Sequence, residues 1–213
     1  MTPEPFQVPL KPFEAELIVE NSRFIASLAP AKTLVAARQF QKAIQQRFQD
    51  ATHHIPAFII GHGKSVITYS SDDGEPSGTA GRPALEVLQG SGLGNVAVIV
   101  TRYFGGTKLG TGGLVRAYGD AVRSVLKVTK RGRLIPTTTY KLVIAYPFYD
   151  QIERLTRNYA AEMLETRFEA DITLLVRVKD DQSPEFIARL LSLSAGRIHP
   201  EIFQRDPETI FPL

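Results

Sequence analysis

Apolar residues near the start of the chain fall in two short stretches, Ala15 to Val19 and Arg23 to Leu28, divided by Asn21-Ser22, a pattern that predicts two strands joined by a turn. The period then changes. Ala36, Phe40, Ile44 and Phe48 recur every four residues between Arg38, Gln41, Lys42, Gln45 and Gln46, which predicts an amphipathic helix opened by Pro30 with its stripe against a sheet. Ala57 to Ile60 and Val66 to Tyr69 flank Gly61-His62-Gly63-Lys64, the spacing of a hairpin. A second helix is predicted over Thr79 to Gln89, with Ala80, Ala84, Leu85 and Leu88 inward and Gly90 as its stop. Val96 to Val100 is apolar on both faces, so that strand belongs in the centre of its sheet. Leu114, Ala117, Tyr118, Ala121, Val125 and Leu126 then trace a third helical stripe.

Thr129-Lys130-Arg131-Gly132-Arg133 is polar, basic and glycine-containing, and reads as a linker between a domain at 1–133 and another at 134–213. After it the pattern restarts. A strand at Thr138 to Tyr146 leads to a helix from Pro147 with Phe148, Ile152, Leu155 and Tyr159 inward, and two strands follow at Met163 to Phe168 and Ile172 to Val178. Ser183 as cap and Pro184 start a further helix, Gly196 ends it, and Ile198 to Phe203 supplies a last strand. The order βαββαβ is the ferredoxin-like arrangement, a sheet with two helices on one face, and the whole chain is α+β.

Composition narrows the function. The 213 residues are 43% hydrophobic and 22% charged, an ordinary globular balance, and no stretch approaches the roughly 18 apolar residues of a membrane span. Met1 leads into Thr2-Pro3-Glu4-Pro5 rather than a signal sequence, so a cytoplasmic location is expected. With no cysteine there is no disulfide, thiolate nucleophile or thiolate metal site, and four histidines would need carboxylates to build a zinc centre. The net charge of +3 conceals an asymmetry: residues 1–133 carry sixteen Lys and Arg against ten Asp and Glu, the remainder nine against twelve. A basic first half hints at an anionic partner but does not establish one.

Residues 70–118 hold eleven of the sixteen glycines, eight of them in two loops that open helices. In Ser71-Asp72-Asp73-Gly74-Glu75-Pro76-Ser77-Gly78-Thr79-Ala80-Gly81-Arg82, small residues allow close backbone approach, and unpaired N–H groups with Arg82 would favour an anion. Asp72, Asp73 and Glu75 could hold Mg²⁺, but Asx turns and helix capping are the commoner use of such carboxylates. In Thr101-Arg102-Tyr103-Phe104-Gly105-Gly106-Thr107-Lys108-Leu109-Gly110-Thr111-Gly112-Gly113, a basic loop leaves a strand end for a helix start. There Arg102, Lys108 and Arg116 could contact phosphates while Tyr103 or Phe104 stacks on a base; equally, the aromatics could pack inward and the cations be solvated. Neither loop is a nucleotide motif. Gly63-Lys64-Ser65 lacks the earlier glycine of a P-loop, and Val115 stands where a dinucleotide motif needs glycine. His53 and His54 are neighbours in an extended segment, point to opposite faces, and do not ligate one metal together.

The run Asp72 to Pro83, the run TRYFGGTKLGTGGLVRAYG at Thr101 to Gly119, and the upstream Ser22-Arg23-Phe24-Ile25 and Ala51-Thr52-His53-His54 with Ala57-Phe58 together resemble the IMPACT/YigZ family, in its bacterial form. The resemblance implies an amino-terminal domain of the ribosomal-protein and elongation-factor-G domain IV type, then a ferredoxin-like domain similar to elongation factor G domain V. It implies a link to translation, since eukaryotic relatives act in amino-acid starvation signalling through an extra domain that this sequence lacks. It implies no enzymatic activity, cofactor or metal. Relatives often carry cysteine after the His-His pair, where this chain has Ile55-Pro56. The leading expectation is therefore a translation-associated RNA- or ribosome-binding protein. Arg82, Arg102, Lys108 and Arg116 would meet phosphates, Gly78, Gly81, Gly105, Gly106, Gly110, Gly112 and Gly113 would give close approach, and Thr79 and Thr111 would cap or donate. A rival is an enzyme on a phosphorylated or carboxylated small molecule, with His53 as acid/base and Asp72, Asp73 or Glu75 as base or Mg²⁺ ligand. A third reading is an adaptor for another protein.

Overall fold

The computed structural model describes residues 7–62 and 65–212, without the side chains of residues 62 and 65, so the predicted turn at Gly63-Lys64 and the His62 side chain lie outside the described residues. The chain divides into two compact units, one reaching Arg133 and including the stretch from Ile210 onward, the other spanning Leu134–Thr209.

The first unit contains β1 (Gln7–Pro9), β2 (Phe13–Val19), β3 (Ser22–Pro30), α1 (Leu34–Arg47), β4 (His53–His62), β5 (Ser65–Ser70), α2 (Gly81–Gly90), β6 (Val96–Tyr103) and α3 (Gly110–Val128). Five of its strands form an antiparallel sheet in the order β2-β3-β6-β4-β5, with the apolar strand β6 in the middle as its composition requires. Strand periodicity sorts the two cores. Val96, Val98 and Val100 face the layer built from α2 and α3, while Ala97 and Ile99 face α1. Helix α1 starts later than expected, because Pro30 completes β3 and Thr33 caps the helix, its hydroxyl accepting the Ala36 N–H at 3.1 Å. Ala37 and Ile44 are its buried residues, and Phe40 and Phe48 are partly buried against the same core.

The last three residues of the expected linker are strand instead. Arg131, Gly132 and Arg133 pair with Pro9, Val8 and Gln7 and begin β7 (Arg131–Ile144). Gly132 looks like a flexible joint in sequence, yet a Cβ there would lie 2.6 Å from the Ile210 and Leu10 side chains, so glycine is demanded by close packing.

The second unit continues β7 with α4 (Tyr149–Asn158), β8 (Glu162–Phe168), β9 (Ile172–Lys179), α5 (Ser183–Leu193) and β10 (Glu201–Pro212). Its strands lie in the order β10-β7-β9-β8, the sheet that the βαββαβ sequence builds. Ile152 and Leu155 of α4 and Phe186 and Leu190 of α5 bury themselves against Leu142, Leu174, Val176 and Val178. Ser183 does not cap α5. Gln182 holds the capping position, and the Ser183 hydroxyl donates to the Lys179 carbonyl. Ile198 is buried ahead of β10 rather than inside it, since the strand starts only at Glu201.

Candidate functional site

The two glycine loops use their helix starts in opposite ways. In the first, the Asp72 carboxylate turns back on α2 and accepts the N–H groups of Gly78 at 2.8 Å, Ala80 at 3.0 Å and Gly81 at 2.8 Å. They include the first N–H of α2 and that of its capping residue, where an external anion would have bound. Burial works against the charge on Asp72, but the three donors outweigh it and hold the carboxyl below the ordinary aspartate range. Gly81 packs where a Cβ would sit 2.6 Å from the Ser71 carbonyl oxygen, and the Thr79 hydroxyl donates to the Pro76 carbonyl. Arg82 is exposed and pairs along the helix with Glu86. Residues Gly78, Thr79, Gly81 and Arg82 therefore build and decorate a closed helix start, and not the cradle that their composition promises.

The rest of that loop is equally occupied. The Asp73 carboxylate accepts the His54 backbone N–H at 2.6 Å, and the Asp73 carbonyl accepts from His53 Nδ1 at 2.7 Å, which places that ring's proton on Nδ1. Among the described residues, no cluster of three or more carboxylates and histidines has the arrangement to hold a metal ion. His54 is buried against Thr101, and burial pushes its imidazole down, toward the neutral form.

Glu75 belongs to a buried network. Its Oε1 accepts from Arg102 Nη1 at 2.5 Å and from the Tyr118 hydroxyl at 2.6 Å, while Arg102 Nη2 donates to Ser22 Oγ at 3.3 Å. Both charged side chains are about 95% buried. Burial and the hydrogen bond to Glu75 push the Tyr118 phenol far above its usual range, so it is a donor at any physiological pH. Phe24 sets its ring edge-on to Tyr118 at 5.2 Å and lies 5.4 Å from the Arg102 guanidinium carbon. Arg102 thus ties β6 to the first loop and to α3, out of reach of a phosphate. His53 Nε2 is 3.9 Å from Glu75 Oε1, the nearest approach to an acid/base pair, but that oxygen already accepts two hydrogen bonds.

The second loop is open. Gly105 is fixed by close approach, since a Cβ would fall 2.0 Å from the Asn21 carbonyl carbon and its N–H donates to Ser22 Oγ. Gly106 and Gly110 adopt φ of +88° and +69°, the left-handed conformation that glycine takes without strain. They turn the chain into α3 with Leu109 at the capping position; among the described residues no side-chain cap hydrogen bond is made there, and the first turn holds no acid. Thr111 and Gly112 are exposed, and a Cβ on Gly112 would meet nothing within 4 Å, whereas Gly113 packs against Leu109. Lys108 and Arg116 are exposed on either side of this start. Two cavities meet at the loop. One of about 250 Å³ is lined by Glu75, Pro76, Arg102, Phe104, Lys108 and Thr111, among others. The other, of about 450 Å³, shares Lys108 and Leu109 and adds Arg116, with Glu20 and Asp120 on its wall. Of the two aromatics, Phe104 is 49% exposed at the first cavity, while the Tyr103 hydroxyl donates to Asp50 and its ring lies beneath Arg23.

Glu75, Pro76, Arg102, Phe104 and Lys108 share one surface; of these, sequence reasoning gave Arg102 and Lys108 to phosphate, Phe104 to stacking and Glu75 to the enzyme reading, and it missed Tyr118 and Ser22 as supports. Tyr118 was legible as a stripe residue whose hydroxyl would need a partner once buried.

Comparison with known proteins matches residues 20–126 to the Impact N-terminal domain and residues 142–197 to a domain of unknown function, DUF1949. An "IMPACT family member" of Haemophilus influenzae is 39% identical over 87% of this chain and 90% of its own length. "IMPACT family member YigZ" of Escherichia coli is 36% identical over 92% and 96%. The crystal structure of a hypothetical protein aligns with a TM-score of 0.62 and 35% identity, covering 93% of this chain and 97% of its own.

Proposed function

Starting from the chain's membership of the IMPACT family, we propose that it is a translation-associated protein that contacts RNA or the ribosome through the open start of α3. The observation that carries this reading is the uncapped first turn at Gly110 to Gly113, flanked by Lys108 and Arg116. Unsatisfied N–H groups and the positive end of the helix dipole attract an anion, and two nearby cations add reach and charge. Phosphate is the anion that an RNA surface supplies in series. Glycine at 112 keeps the approach clear, because no side chain stands over the donors. The amino-acid starvation role of eukaryotic relatives is not carried over. What is carried over is work beside the translation machinery, inside the cell. No helix among the described residues is long and apolar enough to cross a membrane.

The small-molecule enzyme reading loses its groups to structure: Asp72 caps α2, Asp73 holds His54, and Glu75 binds Arg102 and Tyr118. Co-sedimentation with ribosomes and total RNA over a salt series tests the proposal. Two phosphate contacts to single-stranded RNA give a log–log slope of about −1.4. The Lys108→Glu/Arg116→Glu double variant should flatten the slope and lose most of the binding. Unchanged binding by a correctly folded double variant would sink the proposal. Binding that ignores salt would point to a protein partner instead.

A further inference from the structure

We infer that the smaller cavity at the α3 loop is a nucleotide pocket, which takes the base and 5′-phosphate of one nucleoside monophosphate, free or as a unit of a single strand. This rests on the phosphate-accepting role proposed for α3 and supplies the other half of the ligand. At about 250 Å³ the cavity lies below the roughly 300–1,000 Å³ of pockets for drug-sized ligands, so it suits one planar ring with its substituent and not an extended polymer. Its lining is divided. Pro76, Phe104, Leu109 and Leu114 offer apolar surface, Lys108, Thr111 and the helix start offer positive charge and donors, and the one carboxylate on the wall, Glu75, is paired with Arg102. A nucleotide is divided in the same way, with an apolar ring face at one end and an anion at the other.

Two further observations concern its wall. Arg102, 5% exposed and lining the cavity, has its Nε buried without a hydrogen-bond partner, although its other two nitrogens are engaged. An unpaired buried donor is costly to the fold, but with no surface of its own this atom does not bond a ligand directly; what Arg102 lends the wall is its charge. Phe104 is the second. Phe104 is half exposed, as Phe168 and Phe203 also are, but its ring alone of the three lies on this cavity, with its centre 5.7 Å from the Arg102 guanidinium carbon. A lone exposed phenylalanine needs no explanation. One that shares a cavity wall with a buried cation and an open helix start is placed as a stacking platform for a base. A base held in a duplex cannot reach such a platform without leaving its stack, so single strands are favoured over double.

The test titrates the full chain with AMP, and with inorganic phosphate as a control, following backbone amide shifts. In parallel, fluorescence anisotropy measures a labelled single-stranded RNA and its duplex. Phe104→Ala and Lys108→Glu are compared with wild type, with circular dichroism as the check on folding. AMP should shift amides from Phe104 to Leu114, and phosphate alone only those opening α3. Phe104→Ala should weaken AMP and single-stranded RNA roughly tenfold each. If RNA binds wild type and Phe104→Ala equally while Lys108→Glu loses it, the pocket is refuted and the phosphate surface survives. If AMP binds in a Phe104-dependent manner but no RNA or ribosome does, the pocket stands and the translation reading falls. Absence of both kinds of binding overturns both.

Discussion

Helices α2 and α3 begin alike in sequence, each with glycines and small hydroxyl residues ahead of it and an arginine or lysine beside its start, and they end up as opposites. The start of α2 is filled by Asp72, a carboxylate nine residues ahead of Gly81 that takes three backbone N–H groups at once. The start of α3 has no acid in its first turn, and Glu75 on the neighbouring wall is engaged by Arg102 and Tyr118 instead. A glycine-rich helix start is therefore an anion site only if the protein has not already supplied the anion. One aspartate separates a structural turn from a candidate binding surface.

The largest effect should come from the network that holds the two loops in place. Removing one partner of a buried ion pair strands the other charge, so Glu75→Ala or Arg102→Met should each lower unfolding free energy by about 3–5 kcal/mol in urea denaturation. A loss below about 1 kcal/mol would show that the pair is not buried as described. Next is the cap itself. Asp72→Ala should cost about 1–2 kcal/mol. The folded carboxyl titrates below its ordinary range, so the cap contributes in full at neutral pH and is lost as pH falls through that lowered value. The stability gap between wild type and Asp72→Ala should therefore close below about pH 4, measured by thermal unfolding across an acid series. A gap of constant size would remove Asp72 from the cap.

A smaller change makes α3 resemble α2. Gly112→Glu puts an acid in the open first turn and replaces a helical glycine, so it should stabilise the fold by about 1 kcal/mol. The same variant should abolish RNA or phosphate binding. Retained binding would place the anion elsewhere. The smallest effect is expected at Arg82, whose side chain is exposed beside Glu86. Arg82→Glu should leave RNA binding unchanged and stability within about 0.5 kcal/mol. A binding loss as large as that of Lys108→Glu would mean that the α2 start is used after all.

Much of the α+β layout was legible because it rests on period. The run Val96 to Val100, apolar on both faces, marked a strand between two layers, and the Leu114 to Leu126 stripe marked α3. The joint at 129–133 was not legible, because Gly132 signals flexibility in sequence and close packing in space. The candidate site was half legible. Loop composition located it, but nothing local to Arg102 reveals that a carboxylate 27 residues earlier pairs with its charge and that a phenol sixteen residues later donates to the same carboxylate oxygen. Asp72 was named as a capping residue in general terms, while its choice of α2 depends on a turn that only the folded loop displays.

Tyr118 gives the molecule its own optical gauge. The chain has seven tyrosines and no tryptophan, so phenol ionisation dominates its near-ultraviolet response to alkali. Buried against Glu75, this ring resists ionisation until the fold opens, and the stability that it lends below the ordinary phenol range is lost as alkali rises. A delayed step in phenolate absorbance, coincident with loss of helix signal, would mark the moment at which the first unit comes apart.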